Sequence, residues 1–155
     1  MKTLQIAVPH AKCAYKCKFC VSQMPHNKGL NIKKYNPAAH LPLIDKSLER
    51  AKNLGVTGVI VTGTCEPLQH YDYVSGVLDL ISNLRFPNVI LQTSGYLLEQ
   101  KAQDLKDIGF THIALSLSSP YSAKNSLNLG RGSRLHLDIR KMCDSVWDNM
   151  EEFEE

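Results

Sequence analysis

The amino-acid sequence predicts an α/β fold built from about four parallel βα units. Short apolar segments rich in β-branched residues alternate with longer segments whose apolar residues recur at helical spacing. Glycine or proline separates most of these segments, as expected where helices end and strands begin. Because strands that alternate with helices pair in parallel through right-handed crossovers, we expect a single parallel sheet.

The four predicted strands carry two kinds of signal. Leu4, Ile6 and Val8 occupy every second position, which indicates the first strand. The later strands are nearly all apolar and β-branched, which is typical of parallel strands buried on both faces. Their sequences are VTGVIVTG (56–63), NVILQTSG (88–95) and THIALSLSS (111–119).

A predicted helix follows each strand. Pro37 and Pro42 bracket the entry to the first helix, and Gly55, Pro87 and Gly109 end the first three. The apolar residues at helical spacing are Ile44, Leu48, Ala51 and Leu54; Val74, Val77, Leu78, Ile81 and Leu84; Leu98, Ala102, Leu105 and Ile108; and, in a last helix over about 137–153, Ile139, Met142, Val146, Met150 and Phe153.

Length and composition limit the class of protein. The 155 residues suit one domain, 1–155, and a net charge of +3 is too small to predict specific nucleic-acid or membrane binding. No apolar run reaches the roughly 20 residues needed to cross a bilayer, so we expect a cytoplasmic protein. The five cysteines are an odd number, and in a reducing compartment they favour metal or redox chemistry over disulfides.

Ligands of parallel α/β sheets bind at the carboxyl ends of the strands. This rule selects the segments that follow the predicted strands. They are the cysteine loop (10–36), GTCEP (63–67), QTSG (92–95) and SLSS (116–119).

Three cysteines lie within eight residues of the cysteine loop, at Cys13, Cys17 and Cys20. Clustered thiolates bind soft metals or iron–sulfur clusters. A structural zinc site takes four ligands, commonly in two pairs, and the second pair is missing here, although histidines or Cys65 could complete such a site. A [4Fe–4S] cluster held by three cysteines leaves its fourth iron free for a ligand that is not protein.

The motif Cys13-x3-Cys17-x2-Cys20 after a first strand resembles the signature of the radical S-adenosylmethionine (radical SAM) superfamily. Phe19 matches the aromatic residue that usually precedes the last cysteine in that family. GTCEP (63–67) is similar to the family's Gly-Gly-Glu-Pro segment, except that Cys65 stands where glycine is usual. The resemblance implies a partial TIM-like barrel with a [4Fe–4S] cluster and S-adenosylmethionine as cofactors.

The resemblance also implies roles for individual residues. Three cysteines would ligate the cluster, the backbone near an aromatic residue would lie beside adenine, Glu66 would accept directly from the methionine amino group, and hydroxyl residues would meet the ribose or carboxylate. The residues concerned are Cys13, Cys17 and Cys20 for the cluster; Phe19 for adenine; Gly63, Thr64, Cys65 and Glu66 for the amino group; and Thr93, Ser94, Ser116 and Ser118 for the ribose or carboxylate. The hydroxyl residues could instead cap turns, and Cys65 could be a packing residue or an extra thiol.

The implied activity is reductive cleavage of S-adenosylmethionine to a 5′-deoxyadenosyl radical, which abstracts hydrogen from a substrate that the sequence does not name. Such an enzyme needs a one-electron donor of the flavodoxin or ferredoxin type. A protein partner could complete the barrel or accept the radical.

Two alternatives stay open because strands five and six of the family's barrel are not found in the sequence. One is an activase that installs a glycyl radical on a partner such as an anaerobic ribonucleotide reductase. The other is a non-catalytic module that binds an iron–sulfur cluster or zinc.

Overall fold

A computed structural model describes residues 2–8, 13–17, 19–20 and 36–116. The strands are β1 (Thr3–Val8), β2 (Gly58–Gly63), β3 (Asn88–Thr93) and β4 (His112–Leu115). The helices are α1 (Pro37–Asn53), α2 (Tyr71–Leu84) and α3 (Leu98–Asp107), and a short 3-10 turn (Pro67–His70) precedes α2. The predicted last helix over about 137–153 lies outside the described residues.

The four strands form one parallel sheet in the order β1-β2-β3-β4, which confirms the predicted α/β fold. Val8 pairs with Gly63, and Thr93 pairs with Leu115. These pairs lie at the carboxyl ends of the strands, so the segments that follow the strands emerge at one edge of the sheet. Sequential strand order with right-handed crossovers also places successive helices on the same face, as in TIM-type barrels.

Among the described residues, the helices cover one face of this sheet and not the other. The covered face includes Val61 and Leu91, which are fully buried and lie opposite one another in adjacent strands. The open face includes Gln92 and Ala114, which are exposed. The core residues that the helices add to the covered face are Leu48 of α1; Tyr73, Val74, Val77, Leu78 and Ile81 of α2; and Leu98 and Leu105 of α3.

Local sequence explains where the helices begin and end. Asn36 caps α1, since its side-chain oxygen accepts a hydrogen bond from the Ala38 N–H at 3.1 Å. The helix begins at Pro37, so Pro42 lies inside it and not ahead of it as the sequence suggested. Gly55 follows α1 with a φ of 75°, a conformation that glycine adopts without strain.

Truncating a buried side chain of the central strand should destabilise the protein strongly. Leu91→Ala removes a fully buried leucine of β3 and should lower the free energy of unfolding by about 2–5 kcal/mol, measured by urea denaturation. Leu43→Ala is the matched control because Leu43 is 64% exposed on α1. Its loss should stay within about 0.5 kcal/mol, and equal losses for the two variants would contradict the described core.

Candidate functional site

An open cavity of about 340 Å³ lies at the carboxyl edge of the sheet. Its volume lies in the range of about 300–1,000 Å³ that is typical of small-molecule and cofactor sites. Every site residue predicted from the sequence lines this cavity, except Ser118, which lies outside the described residues. The lining residues are Cys13, Tyr15, Cys17, Phe19, Cys20, Thr62, Gly63, Thr64, Cys65, Glu66, Pro67, Gln92, Thr93, Ser94 and Ser116.

Hydrogen bonds tie the cysteine loop to the turn that follows β2. The Ala14 N–H donates to the Gln69 side-chain oxygen at 2.6 Å. The Thr64 N–H donates to the Val8 carbonyl oxygen at 3.3 Å, which keeps the ends of β1 and β2 together. The described part of the cysteine loop is therefore held over the end of β2.

The three cysteines of the motif are free thiols, each half-buried at the cavity. Burial raises the pKa of the Cys17 thiol, and the neighbouring Cys13 and Cys20 raise it further because three thiolates in one place repel each other. Among the residues that the structure describes, no three His, Cys, Asp or Glu side chains converge as ligands of one metal ion. The donor set fits a [4Fe–4S] cluster, in which each thiolate binds a different iron atom.

Glu66 is only 3% exposed, and its carboxylate accepts four hydrogen bonds from neighbouring residues. Its Oε1 accepts from the Thr93 hydroxyl at 2.6 Å and from the Leu68 N–H at 3.1 Å. Its Oε2 accepts from the Ser94 N–H at 2.9 Å and from the Ser94 hydroxyl. These four donors fill the acceptor positions of the carboxylate and join the turn after β2 to the end of β3.

Glu66 has no cationic partner within the described part of the chain, where one ion pair joins Lys101 to Asp104. Buried carboxylates are usually paired with a cation, because hydrogen bonds alone do not neutralise their charge. The cavity therefore presents a negative charge that would attract a positively charged group of a ligand.

The hydroxyl residues after β3 and β4 differ in their availability. The Thr93 hydroxyl donates to Glu66 and accepts from the Gly95 N–H at 3.0 Å, so it is used within the protein. The Ser116 N–H donates to the Thr93 carbonyl oxygen at 2.7 Å, while the Ser116 side chain is exposed. The Ser116 Oγ accepts a hydrogen bond from the Gln92 side-chain amide at 3.5 Å, and its exposed hydroxyl can still meet a ligand, whereas the Thr93 hydroxyl is used within the protein.

The turn after β2 depends on glycine at position 63. A Cβ atom on Gly63 would lie 2.5 Å from the carbonyl oxygen of Cys65, so any side chain would force this turn open. Cys65 itself is half-buried, packs against the hydrophobic core and also lines the cavity. Both interpretations of Cys65, as a packing residue and as an additional thiol, agree with this position.

Four lining residues were missed by the sequence analysis. Thr62 and Gln92 lie on the open face near the ends of β2 and β3, and strand alternation could have found them. Pro67 follows Glu66 in the same segment. Tyr15 lies between the first two cysteines, and only its position in the motif could have indicated a place in the site.

No helix among the described residues is long and apolar enough to cross a membrane.

Comparisons with known proteins agree on one family. The family model described as the radical SAM superfamily matches residues 8–150. A probable dual-specificity RNA methyltransferase RlmN from Finegoldia magna is 28% identical over 140 residues, which cover 85% of this chain and 38% of that protein. A probable GTP 3′,8-cyclase from Archaeoglobus fulgidus is 31% identical over 144 residues, which cover 91% of this chain and 44% of that protein.

A probable GTP 3′,8-cyclase from Methanocaldococcus jannaschii is 28% identical over 148 residues, which cover 93% of this chain and 46% of that protein. The chain therefore spans less than half the length of these curated relatives. The residues matched by the family model include all those that line the described cavity.

Replacing the Glu66 carboxylate by an amide should weaken the fold as well as the site. Glu66→Gln replaces one carboxylate oxygen by an NH₂ group, which cannot accept the two hydrogen bonds that this oxygen accepts in the unchanged protein. Two hydrogen bonds are therefore lost in a buried position. We expect the free energy of unfolding to fall by about 1–3 kcal/mol in urea denaturation. Asp79→Asn, the same change at an exposed position of α2, should have little effect, and equal stability of the two variants would contradict the described contacts.

Proposed function

The chain belongs to the radical SAM superfamily, and from this membership we propose that it binds a [4Fe–4S] cluster and reductively cleaves S-adenosylmethionine to start hydrogen abstraction from a substrate. The superfamily is one of enzymes that use these two cofactors, as the resemblance implied. The single observation that carries the proposal is the cavity, which brings the three-cysteine motif and the ends of β2, β3 and β4 together.

The residues proposed to hold the cluster are Cys13, Cys17 and Cys20. Their thiols are free and half-buried at one cavity, and soft thiolates are the ligands that iron–sulfur clusters require. A cluster held by these three residues would keep one iron atom for a ligand that is not protein, and Glu66 lines the same cavity. This arrangement supports binding of S-adenosylmethionine next to the cluster.

The rest of the cavity suits the two ends of S-adenosylmethionine. Glu66 offers a buried negative charge for the positively charged methionine end. Phe19 lines the cavity and is 56% exposed, so its ring and neighbouring backbone are available to adenine. Ser116 has an exposed hydroxyl for the ribose or carboxylate, and we extend this role to Ser118.

A cluster held by Cys13, Cys17 and Cys20 would supply the single electron needed to break a carbon–sulfur bond of S-adenosylmethionine, as the resemblance implies. The protein's part is to orient the cofactor and limit access of water. Cys13, Cys17 and Cys20 fix the position of the electron source, while the Glu66 hydrogen bonds keep the ends of β2 and β3 rigid around the methionine end.

The named activities of the relatives support shared cofactor chemistry more strongly than a shared substrate. One relative is named as an RNA methyltransferase and two as GTP cyclases, yet each aligns with most of this chain. The segment common to such different activities is best explained by the step that they share. The activase alternative gains no support from these names, and the substrate remains to be identified.

We further propose a one-electron donor of the flavodoxin or ferredoxin type and a cytoplasmic location, because a thiolate-ligated cluster needs a reducing compartment. A protein partner that completes the barrel or accepts the radical is compatible with the alignment to less than half of each relative.

Cofactor cleavage is the direct test of the proposed function. Anaerobically reconstituted protein, incubated with dithionite and S-adenosylmethionine, should release 5′-deoxyadenosine and methionine in equal amounts, measured by liquid chromatography. Intact S-adenosylmethionine after long incubation with a full cluster would refute the proposal. One zinc per chain, without iron or sulfide, in anaerobically purified protein would instead favour the binding module.

The ligand assignment is tested by removing single thiols. Cys17→Ala should lose most of the iron–sulfur absorption near 400 nm and most of the bound iron and sulfide, because a cluster held by two cysteines is weakly retained. Cys143→Ala is the control, since the sequence places Cys143 on the predicted last helix. Equal iron and sulfide in the two variants would contradict the assignment of Cys17 as a ligand.

A further inference from the structure

Every cysteine among the described residues lines the cavity at the carboxyl edge of the sheet. Three of them belong to the cysteine motif, and the fourth is Cys65, in the turn after β2. Cys65 is a free thiol and is half-buried, so its side chain is accessible from the cavity. The proposed function uses the three thiols of the motif and leaves the Cys65 thiol without a role.

Both chain neighbours of Cys65 are fixed in place. The Thr64 N–H and the Thr64 hydroxyl each donate to the Val8 carbonyl oxygen at 3.3 Å. Glu66, on the other side, is held by its four hydrogen bonds. Because β1 ends at Val8 and the motif begins five residues later at Cys13, the Cys65 turn is attached to the strand from which the cysteine loop leaves.

A second contact joins the same two segments. The hydrogen bond from the Ala14 N–H to the Gln69 side-chain oxygen, at 2.6 Å, links the residue after Cys13 to the 3-10 turn that follows Cys65. The cysteine loop and the turn after β2 are therefore held together on both sides of Cys65. The fold itself keeps the fourth thiol at the cavity of the other three.

Packing alone does not explain the sulfur atom of Cys65. The side chain also contacts the hydrophobic core, but a free cysteine packs as a small apolar residue, so this contact makes no use of its metal-binding chemistry. The backbone does not require glycine at this position either, because the φ of Cys65 is not positive. The thiol therefore calls for a role at the cavity that it lines.

The chemistry of iron–sulfur clusters supplies such a role. Clusters of the [4Fe–4S] type are commonly held by four thiolates, and the three cysteines of the motif leave one iron atom without a protein ligand. Cys65 offers a fourth soft ligand at the same cavity. Ligands of a cluster bind different iron atoms, so they need not converge on one point, and within the described residues no three such side chains do.

We propose that Cys65 is the fourth ligand of the cluster while S-adenosylmethionine is absent, and that S-adenosylmethionine displaces it on binding. This inference rests on the proposed function. The Cys65 thiol releases its proton to solvent when its sulfur binds iron, and the displaced thiolate takes up a proton again, so the exchange oxidises and reduces nothing. The fourth iron is thereby protected until the cofactor arrives.

Oxidation without S-adenosylmethionine tests the protection. A [4Fe–4S]²⁺ cluster that gives one electron to ferricyanide can release Fe²⁺ and leave [3Fe–4S]⁺, which is measured by electron spin resonance. Cys65→Ala should form [3Fe–4S]⁺ several-fold faster than the unchanged protein, because its fourth iron has no thiolate ligand. Equal rates of formation would overturn the inference.

Affinity for S-adenosylmethionine tests the displacement. Cluster-loaded Cys65→Ala should bind S-adenosylmethionine about tenfold more tightly than the unchanged protein in anaerobic equilibrium dialysis. This gain is expected when the form without bound Cys65 makes up about one-tenth of the unchanged protein. A residue that only packs would give no such gain, so an unchanged or weaker affinity would also overturn the inference.

Two further variants serve as controls. Cys65→Ser nearly keeps the size of the side chain but offers a poor iron ligand, so it should match Cys65→Ala in both measurements and replaces it if that variant does not fold. Cys143→Ala makes the same chemical change on the predicted last helix and should match the unchanged protein. If Cys65→Ser matched the unchanged protein, or Cys143→Ala matched Cys65→Ala, the inference would be wrong.

The result is separable from the fate of the proposed function. Without oxidant, Cys65→Ala should keep its iron and sulfide, in contrast to Cys17→Ala, and their loss would contradict a ligand that the cofactor can displace. If the unchanged protein takes up no iron and sulfide, the proposed function fails and the inference falls with it. If the unchanged protein takes up both and cleaves S-adenosylmethionine, while the Cys65 variants match it in oxidation and affinity, the inference alone is wrong.

Discussion

The order of the strands is the constraint on which the rest of the structure depends. Since β1 to β4 follow one another both in the chain and in the sheet, each right-handed crossover places its helix on the same face. The hydrophobic core forms on that face alone, which leaves the opposite face free of the described helices. The carboxyl ends of the strands then meet at one edge, where short segments far apart in sequence build one cavity. We expect ligands to bind at this edge, because the described residues of the helix-covered face are packed in the hydrophobic core.

At this edge of the sheet, the Glu66 side chain both stabilises the local structure and provides a negative charge for a ligand. Its hydrogen bonds to Leu68, Thr93 and Ser94 fix the turn after β2 against the end of β3, so the shape of the cavity depends on a charge that is expensive to bury. A cationic ligand offsets part of that cost. Ligand binding and local stability are therefore expected to be coupled at this position, and a substitution of Glu66 affects both.

Periodicity predicted the fold well, because the described strands and helices follow alternation and helical spacing closely. It was less accurate at boundaries. The first helix begins at Pro37, a first-turn position where the missing N–H of proline has no helical partner to lose, and the helix continues through Pro42 in its interior. The site residues were found from position at strand ends and from the resemblance. The sequence could not predict which of these site residues contact one another. The Thr93 and Ser94 hydroxyls turn inward to Glu66 across 27 and 28 positions of the chain. Tyr15 is buried by residues as distant in sequence as Tyr96 and Leu115.

The unpaired Tyr15 hydroxyl and the unpaired Glu66 charge are two costs of the same kind, and both lie at the cavity. In a protein of ordinary marginal stability, such costs are tolerated where a ligand removes them. A polar ligand atom would satisfy the hydroxyl and a positive charge would offset that of Glu66, whereas an anion would aggravate the second cost and a neutral apolar group would relieve neither. These two free-energy costs therefore favour a polar ligand with positive charge at the cavity.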